Sequence, residues 1–164
     1  YRIADFGGGN GYLGYAAKKF LNYPIIWEVF EISEFVEIYK NIGQGDILFK
    51  NFEEYEKSNY NITLFSCSIQ YCQEPYEIFE KAIKKSDFVI LSRIPFIKKY
   101  KEKITVQEVE LNHKSFSWPA YFFGEKFFDY IKEKGDIVYR WETPSEQVIF
   151  KGEIINYQGL VIKK

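Results

Sequence analysis

A chain of 164 residues, 46% hydrophobic and 27% charged, is long enough to bury one core and has the composition of an ordinary globular domain. Its formal net charge of −1, with Lys and Glu interspersed, gives no bulk attraction to nucleic acid or anionic lipid, and no apolar run has the length of a membrane span. Cys67 and Cys72 lack a second Cys or His pair, so neither zinc nor a disulfide framework is expected, and the chain reads as cytoplasmic with reduced thiols.

Residues 2–6 read as a first strand, followed by the turn Asp5-Phe6-Gly7-Gly8-Gly9-Asn10-Gly11 and a helix whose Leu13, Ala16, Ala17 and Phe20 form the stripe expected to pack on a sheet. Glycines in such a turn let the main chain lie against a ligand, and the helix that follows presents free N–H groups. Asn22-Tyr23-Pro24 breaks the helix and 25–30 forms the second strand. Ser33 then starts a helix with Phe35, Ile38, Tyr39 and Ile42 on one face and Gly43 as its stop. A third strand is expected at 47–49, an acidic turn around 53–57, a fourth strand at 62–66, a helix opening at Glu74-Pro75 with Tyr76, Phe79, Ala82 and Ile83 inward, and a fifth strand at 88–92.

Strands alternating with helices at this spacing predict a parallel sheet covered on both faces. Residues 94–123 depart from that pattern, carry Pro95 and Pro119, and are expected to form an irregular insert, with one strand at 104–109, that acts as a lid or substrate wall. A further helix ends at Gly135. Strands at 137–141, 147–150, 153–157 and 160–162 close the chain, with turns at Lys151-Gly152 and Gln158-Gly159. The fold class is therefore α/β, a mostly parallel seven-stranded sheet ending in an antiparallel C-terminal hairpin, over a single domain spanning 1–164. There is no Met, and the first residue already falls in the first strand, so the domain is expected to be N-terminally truncated.

The turn admits two ligands. Gly9-Asn10-Gly11-Tyr12-Leu13-Gly14 satisfies the dinucleotide fingerprint, whereas Asp5 with Gly7, Gly9 and Gly11 satisfies the looser pattern of S-adenosyl-L-methionine (SAM) enzymes. Glu31, 20 residues after Gly11, suits the ribose hydroxyls of either, the interval being roughly 20 residues in such folds. The terminal hairpin favours SAM over NAD(P), and a carboxylate at Asp5 suits a sulfonium and its ammonium tail better than a pyrophosphate. Arg93, ending the fifth strand, has the planar fork that grips phosphate or carboxylate, and His113, the one histidine, is a candidate base or substrate contact in the insert. Gln107 and Glu108 alternate across their strand, so one of the two faces the pocket.

Five blocks carry a resemblance: Ile3-Ala4-Asp5-Phe6-Gly7-Gly8-Gly9; Ile26-Trp27-Glu28-Val29-Phe30-Glu31; Ser66-Cys67-Ser68-Ile69-Gln70-Tyr71 with Glu74-Pro75-Tyr76; Ser92-Arg93-Ile94-Pro95-Phe96; and Thr105-Val106-Gln107. The chain resembles, over nearly its whole length, a poorly characterised bacterial family of class I SAM-dependent methyltransferases associated with surface-polysaccharide gene clusters. That resemblance implies a three-layer Rossmann-like methyltransferase fold and an additional N-terminal segment. It also implies a set of cofactor contacts: Gly7, Gly8, Gly9 and Gly11 against the methionyl part of SAM, Glu31 on the ribose, Asn51 and Phe52 flanking the adenine with Phe52 stacked, and Ser66, Ser68 and Tyr71 near the sulfonium. The implied reaction is transfer of the methyl group of SAM, with S-adenosylhomocysteine (SAH) as product, to an oxygen or nitrogen of a sugar, sugar nucleotide or polysaccharide precursor. The competing expectations are an NAD(P)-dependent oxidoreductase and a SAM-binding regulatory domain without catalysis.

Overall fold

The computed structural model describes residues 1–42, 46–98, 101–111 and 113–164. The glycine-rich loop joins β1 (Arg2–Phe6) to α1 (Tyr12–Phe20), and β2 (Ile26–Glu31), α2 (Ser33–Ile42), β3 (Ile47–Asn51) and a short 3-10 helix at Phe52–Lys57 follow. β4 (Tyr60–Ser66), α3 (Pro75–Lys85) and β5 (Ser86–Pro95) complete the alternating part. A hairpin of β6 (Lys103–Leu111) and β7 (Lys114–Phe122), then α4 (Glu125–Lys134) and a closing hairpin of β8 (Asp136–Phe150) and β9 (Glu153–Lys163), end the chain. None of the described helices is long and apolar enough to cross a membrane.

Seven strands form one sheet in the order β3-β2-β1-β4-β5-β9-β8. β1 to β5 are mutually parallel, while β9 runs antiparallel to both β5 and β8, as the terminal hairpin predicts. Beneath one face, Ala4, Phe65, Val89, Leu91, Leu160 and Ile162 are buried against Phe79 and Ala82 of α3 and Phe127 and Ile131 of α4. On the other face, Ile3, Trp27, Val29, Ile47 and Phe49 pack with Val36 and Tyr39 of α2 and Tyr15 and Ala17 of α1. Each fully buried Val, Leu, Ile or Phe among them contributes roughly 1.5–3 kcal/mol by leaving water. The sheet reverses its order at β1, which lies between β2 and β4, and this opens a crevice at the carboxyl ends of those strands.

Four expectations are corrected. In α1, Phe20 is 79% exposed and Leu13 38%, because the helix packs through Gly14, where a Cβ would come within 2.7 Å of Trp27 and Ile47. The broad Trp27 indole fills the space, so the smallest residue faces the sheet. In α2 the inward residues are Val36 and Tyr39, while Phe35, Ile38 and Ile42 are exposed; the expected stop at Gly43 lies outside the described residues.

The insert is regular rather than irregular. β6 and β7 pair over their full length, with Gln107 opposite Trp118 and Pro119 opposite Val106, a Pro tolerated because this two-stranded arm has free edges. The four short terminal strands are two long ones. Lys151 and Gly152 do turn, with φ of 51° and 80°, but Gln158 and Gly159 continue β9, and Gly159 lies directly against the Trp141 ring.

Candidate functional site

The loop after β1 closes onto its neighbours through backbone contacts. Gly7 donates its N–H to the Phe30 carbonyl at 2.8 Å, and Gly7, Gly9 and Gly11 all have positive φ. A side chain at Gly7 would meet Ser68 at 2.7 Å, whereas a Cβ at Gly9 would meet nothing within 4 Å, so the loop is tight on its inner side and open outward. Asp5 is fully buried beneath this loop. Its Oδ2 accepts the Trp27 Nε1–H at 3.1 Å, its Oδ1 has no partner, and a Cβ on Gly8 would lie 2.5 Å from its carboxyl. Burial, with the negative charge of Glu31 adding to it and the indole bond opposing it, pushes the Asp5 carboxyl up to about 7.

Glu31 ends β2 and reaches back to the loop, where its Oε1 accepts the Gly9 N–H at 2.9 Å. A cleft of about 910 Å³ opens beside this bond, a volume suited to a nucleoside-sized ligand. Gly7, Glu31, Phe52, Ser68 and Tyr71 line it, joined by Ile32 and Phe35 from the start of α2 and by Cys67 and Cys72. Burial raises the Cys72 thiol to about 12, so it is a neutral wall residue. Phe52 is already stacked on Phe6, with centroids 4.6 Å apart. Asn51 starts the 3-10 helix with its N–H bonded to Glu54 at 3.2 Å and does not line the cleft. Ser68 donates to the Phe6 carbonyl at 2.6 Å and ties the end of β4 to the loop, while Ser66 turns away to Arg93.

Cys67 follows the last residue of β4, and Arg93, expected to end the fifth strand, instead sits at a register break between Leu91 and Ile94 while β5 runs on to Pro95; both have φ near 58°, a left-handed conformation that non-glycine residues adopt at a cost. The buried Gln70 amide donates to both, to Cys67 Sγ at 3.1 Å and to the Arg93 carbonyl at 3.2 Å. The Arg93 guanidinium lies between Ser66 Oγ at 3.4 Å and Glu146 at 3.6 Å. Glu146 is brought there by a register break between Thr143 and Gln147 of β8.

Of the pair Gln107 and Glu108, Gln107 turns inward. Its Oε1 accepts from Tyr71 at 2.9 Å and Trp118 at 3.1 Å, and its Nε2 approaches the Tyr157 hydroxyl at 3.5 Å. His113 is exposed at the far tip of the arm and lines neither this cluster nor the cleft. Sequence reading missed Trp118, which lies opposite Gln107 in the arm, and Tyr157, which pairs with Thr143 of β8 and Pro95 of β5. Ile32 carried a usable signal, since it directly follows Glu31 at the carboxyl end of β2.

Neither a protein-family profile nor a curated protein sequence matches the chain. Solved structures do. The N-terminal domain of EvdMO1 with SAH bound aligns over 99% of this chain and 74% of its own, with a TM-score of 0.65 and 14% identity. The glycopeptide N-methyltransferase MtfA complexed with SAH aligns over 99% and 83%, with a TM-score of 0.67 and 9% identity. A SAM-dependent methyltransferase from Mesorhizobium loti gives 99% and 90%, with 0.64 and 9%. At these identities the likeness is one of fold, and the α/β fold of this chain, with its mostly parallel seven-stranded sheet and antiparallel β9, is the one those methyltransferases have.

Proposed function

We infer that the chain binds SAM in the crevice between β1, β2 and β4 and transfers its methyl group to an oxygen or nitrogen acceptor. The observation that carries this is the Glu31 carboxylate held at the Gly9 N–H on the rim of a nucleoside-sized cleft, at the point where the sheet reverses its order. Three-layer Rossmann-like enzymes of this class supply the analogy, and the SAH-bound neighbours support it. The unpartnered Asp5 oxygen beneath the loop fits a cationic ligand tail above it.

In this reading Gly7, Gly8, Gly9 and Gly11 receive the methionyl part, with Asp5 beneath, and Glu31 takes the ribose hydroxyls. Phe52, braced by Phe6, borders the adenine, with Asn51 fixing the turn behind it, and Ser68 and Tyr71 bound the reacting end, while Ser66 is turned to Arg93 instead. Bound there, SAM would supply an electrophilic methyl group for the acceptor's lone pair, with SAH and the acceptor's proton as the other products. What the chain adds is alignment and exclusion of water. A saccharide or sugar-nucleotide acceptor rests on the family resemblance and on Arg93, whose loose contact with Glu146 leaves it able to take an anionic substituent.

Calorimetric titration with SAM, SAH and NADH tests the site. SAM and SAH bind in the micromolar range, and Glu31→Ala weakens both about 10- to 100-fold, the loss expected when hydrogen bonds to a charged group are removed. Binding of NADH in their place, or an indifferent Glu31→Ala variant, overturns the reading.

A further inference from the structure

A second cavity of about 420 Å³ lies between the β6–β7 arm and the β8–β9 hairpin, and Tyr71 lines both it and the cofactor cleft. Its polar end is the cluster of Tyr71, Gln107, Trp118 and Tyr157, and its other walls include Phe122, Val148 and Phe150. A group-transfer enzyme needs its two ligand sites to share a wall, and Tyr71 is that wall.

We propose that this cavity seats the methyl acceptor and that Gln107 selects a neutral, ring-shaped alcohol there. The hydrogen-bond accounting carries the class of ligand. Both lone pairs of Gln107 Oε1 are taken by Tyr71 and Trp118, while Nε2 makes one long contact, at 3.5 Å to Tyr157. An amide nitrogen carries two N–H donors, so the amide is spent as an acceptor and underused as a donor. Beside it, burial raises the Tyr71 and Tyr157 phenols above their ordinary range, so both hydroxyls keep their protons at neutral pH.

A ligand hydroxyl satisfies this pair: it accepts from Gln107 Nε2–H and donates to the Tyr157 oxygen. An ammonium would point donors at the amide donor, and Glu108, the one carboxylate among the described residues lining this cavity, is exposed on the opposite face of β6 from Gln107. The indole of Trp118, edge-on to Tyr71 with centroids 6.3 Å apart, and the apolar walls give the ring's carbon face a partner.

The inference rests on the methyl-transfer reading for the word acceptor, but its test does not. The chain has three tryptophans, so a ¹⁵N-labelled sample gives three indole N–H resonances, and that of Trp118 reports its bond to Gln107. With SAH present, D-fucose, catechol and ethanolamine serve as probes for a hydroxylated ring, a flat phenol and a cationic amine. D-fucose moves the Trp118 resonance saturably in the millimolar range, and Gln107→Ala reduces its affinity at least tenfold. In that variant the Trp27 and Trp141 resonances stay in place, which establishes that it is folded. Gln107→Glu, which keeps the acceptor oxygen for Tyr71 and Trp118 but loses the N–H donor, also loses the response. A Trp118 resonance indifferent to all three probes, one that answers only catechol or ethanolamine, or a D-fucose response that survives Gln107→Ala overturns the proposal. SAH titrated alone reads the cofactor site independently, so a failure there is distinguished from a failure here.

Discussion

Asp5 is the residue whose environment is most at odds with its chemistry. A carboxyl at about 7 in the fold and near 3.8 when unfolded stays protonated in the native state over a range where the unfolded chain has lost the proton. Stability therefore falls as pH rises from about 4 to 7 and levels off above, by an amount on the order of 4 kcal/mol at most, taking about 1.4 kcal/mol per unit. Asp5→Asn keeps an acceptor for Trp27 and removes the charge, so denaturation profiles of the variant should lose this slope, and the pH-dependent shift expected of the Trp27 indole resonance in the parent should disappear. An unchanged slope in Asp5→Asn would assign the pH dependence elsewhere. The left-handed residues Cys67, just after β4, and Arg93, at the register break of β5, are clamped by one Gln70 amide. The glycine loop and Glu31 were legible from the strand ends they follow, whereas Ser68 and Tyr71 came with the family resemblance, which also named Asn51 and Ser66, neither of which lines the cleft. Sequence alone left open which of Gln107 and Glu108 faces inward, since alternation fixes only that they differ.

At the scale of elements, the misread pieces share a cause: local periodicity carries no information about the bulk of the facing residue. The α1 stripe was drawn through Leu13 and Phe20, yet the Trp27 indole leaves room only for Gly14. Gly159 was read as a turn for the same reason, whereas it is the place in β9 where the Trp141 ring crosses. Gly159→Ala is therefore expected to cost about 1–3 kcal/mol by overpacking. Adding Trp141→Ala should recover part of that loss, so chemical denaturation of the two single variants and the double gives non-additive values. Additive losses would mean that the ring is not what requires glycine. The arm was legible only in part, because β7 carries Pro119 and the pairing that makes it a strand comes from β6 alone.

Across the whole molecule the sequence was most informative about class, since strand–helix alternation and a terminal hairpin imply a mostly parallel sheet with an antiparallel end, while the order β3-β2-β1-β4-β5-β9-β8 is supplied by the structure. What the sequence could not supply either is the second cavity, which exists only because the arm between β5 and α4 and the tip of the β8–β9 hairpin meet over the carboxyl ends of the sheet. A crystal structure with SAH addresses the assignment of the first cavity directly. The adenosyl group should lie in the cleft lined by Glu31, Phe52 and Ser68, its ribose hydroxyls on the Glu31 carboxylate and its sulfur toward Tyr71. SAH bound away from that cleft, or with its ribose remote from Glu31, would contradict the SAM site proposed for this chain.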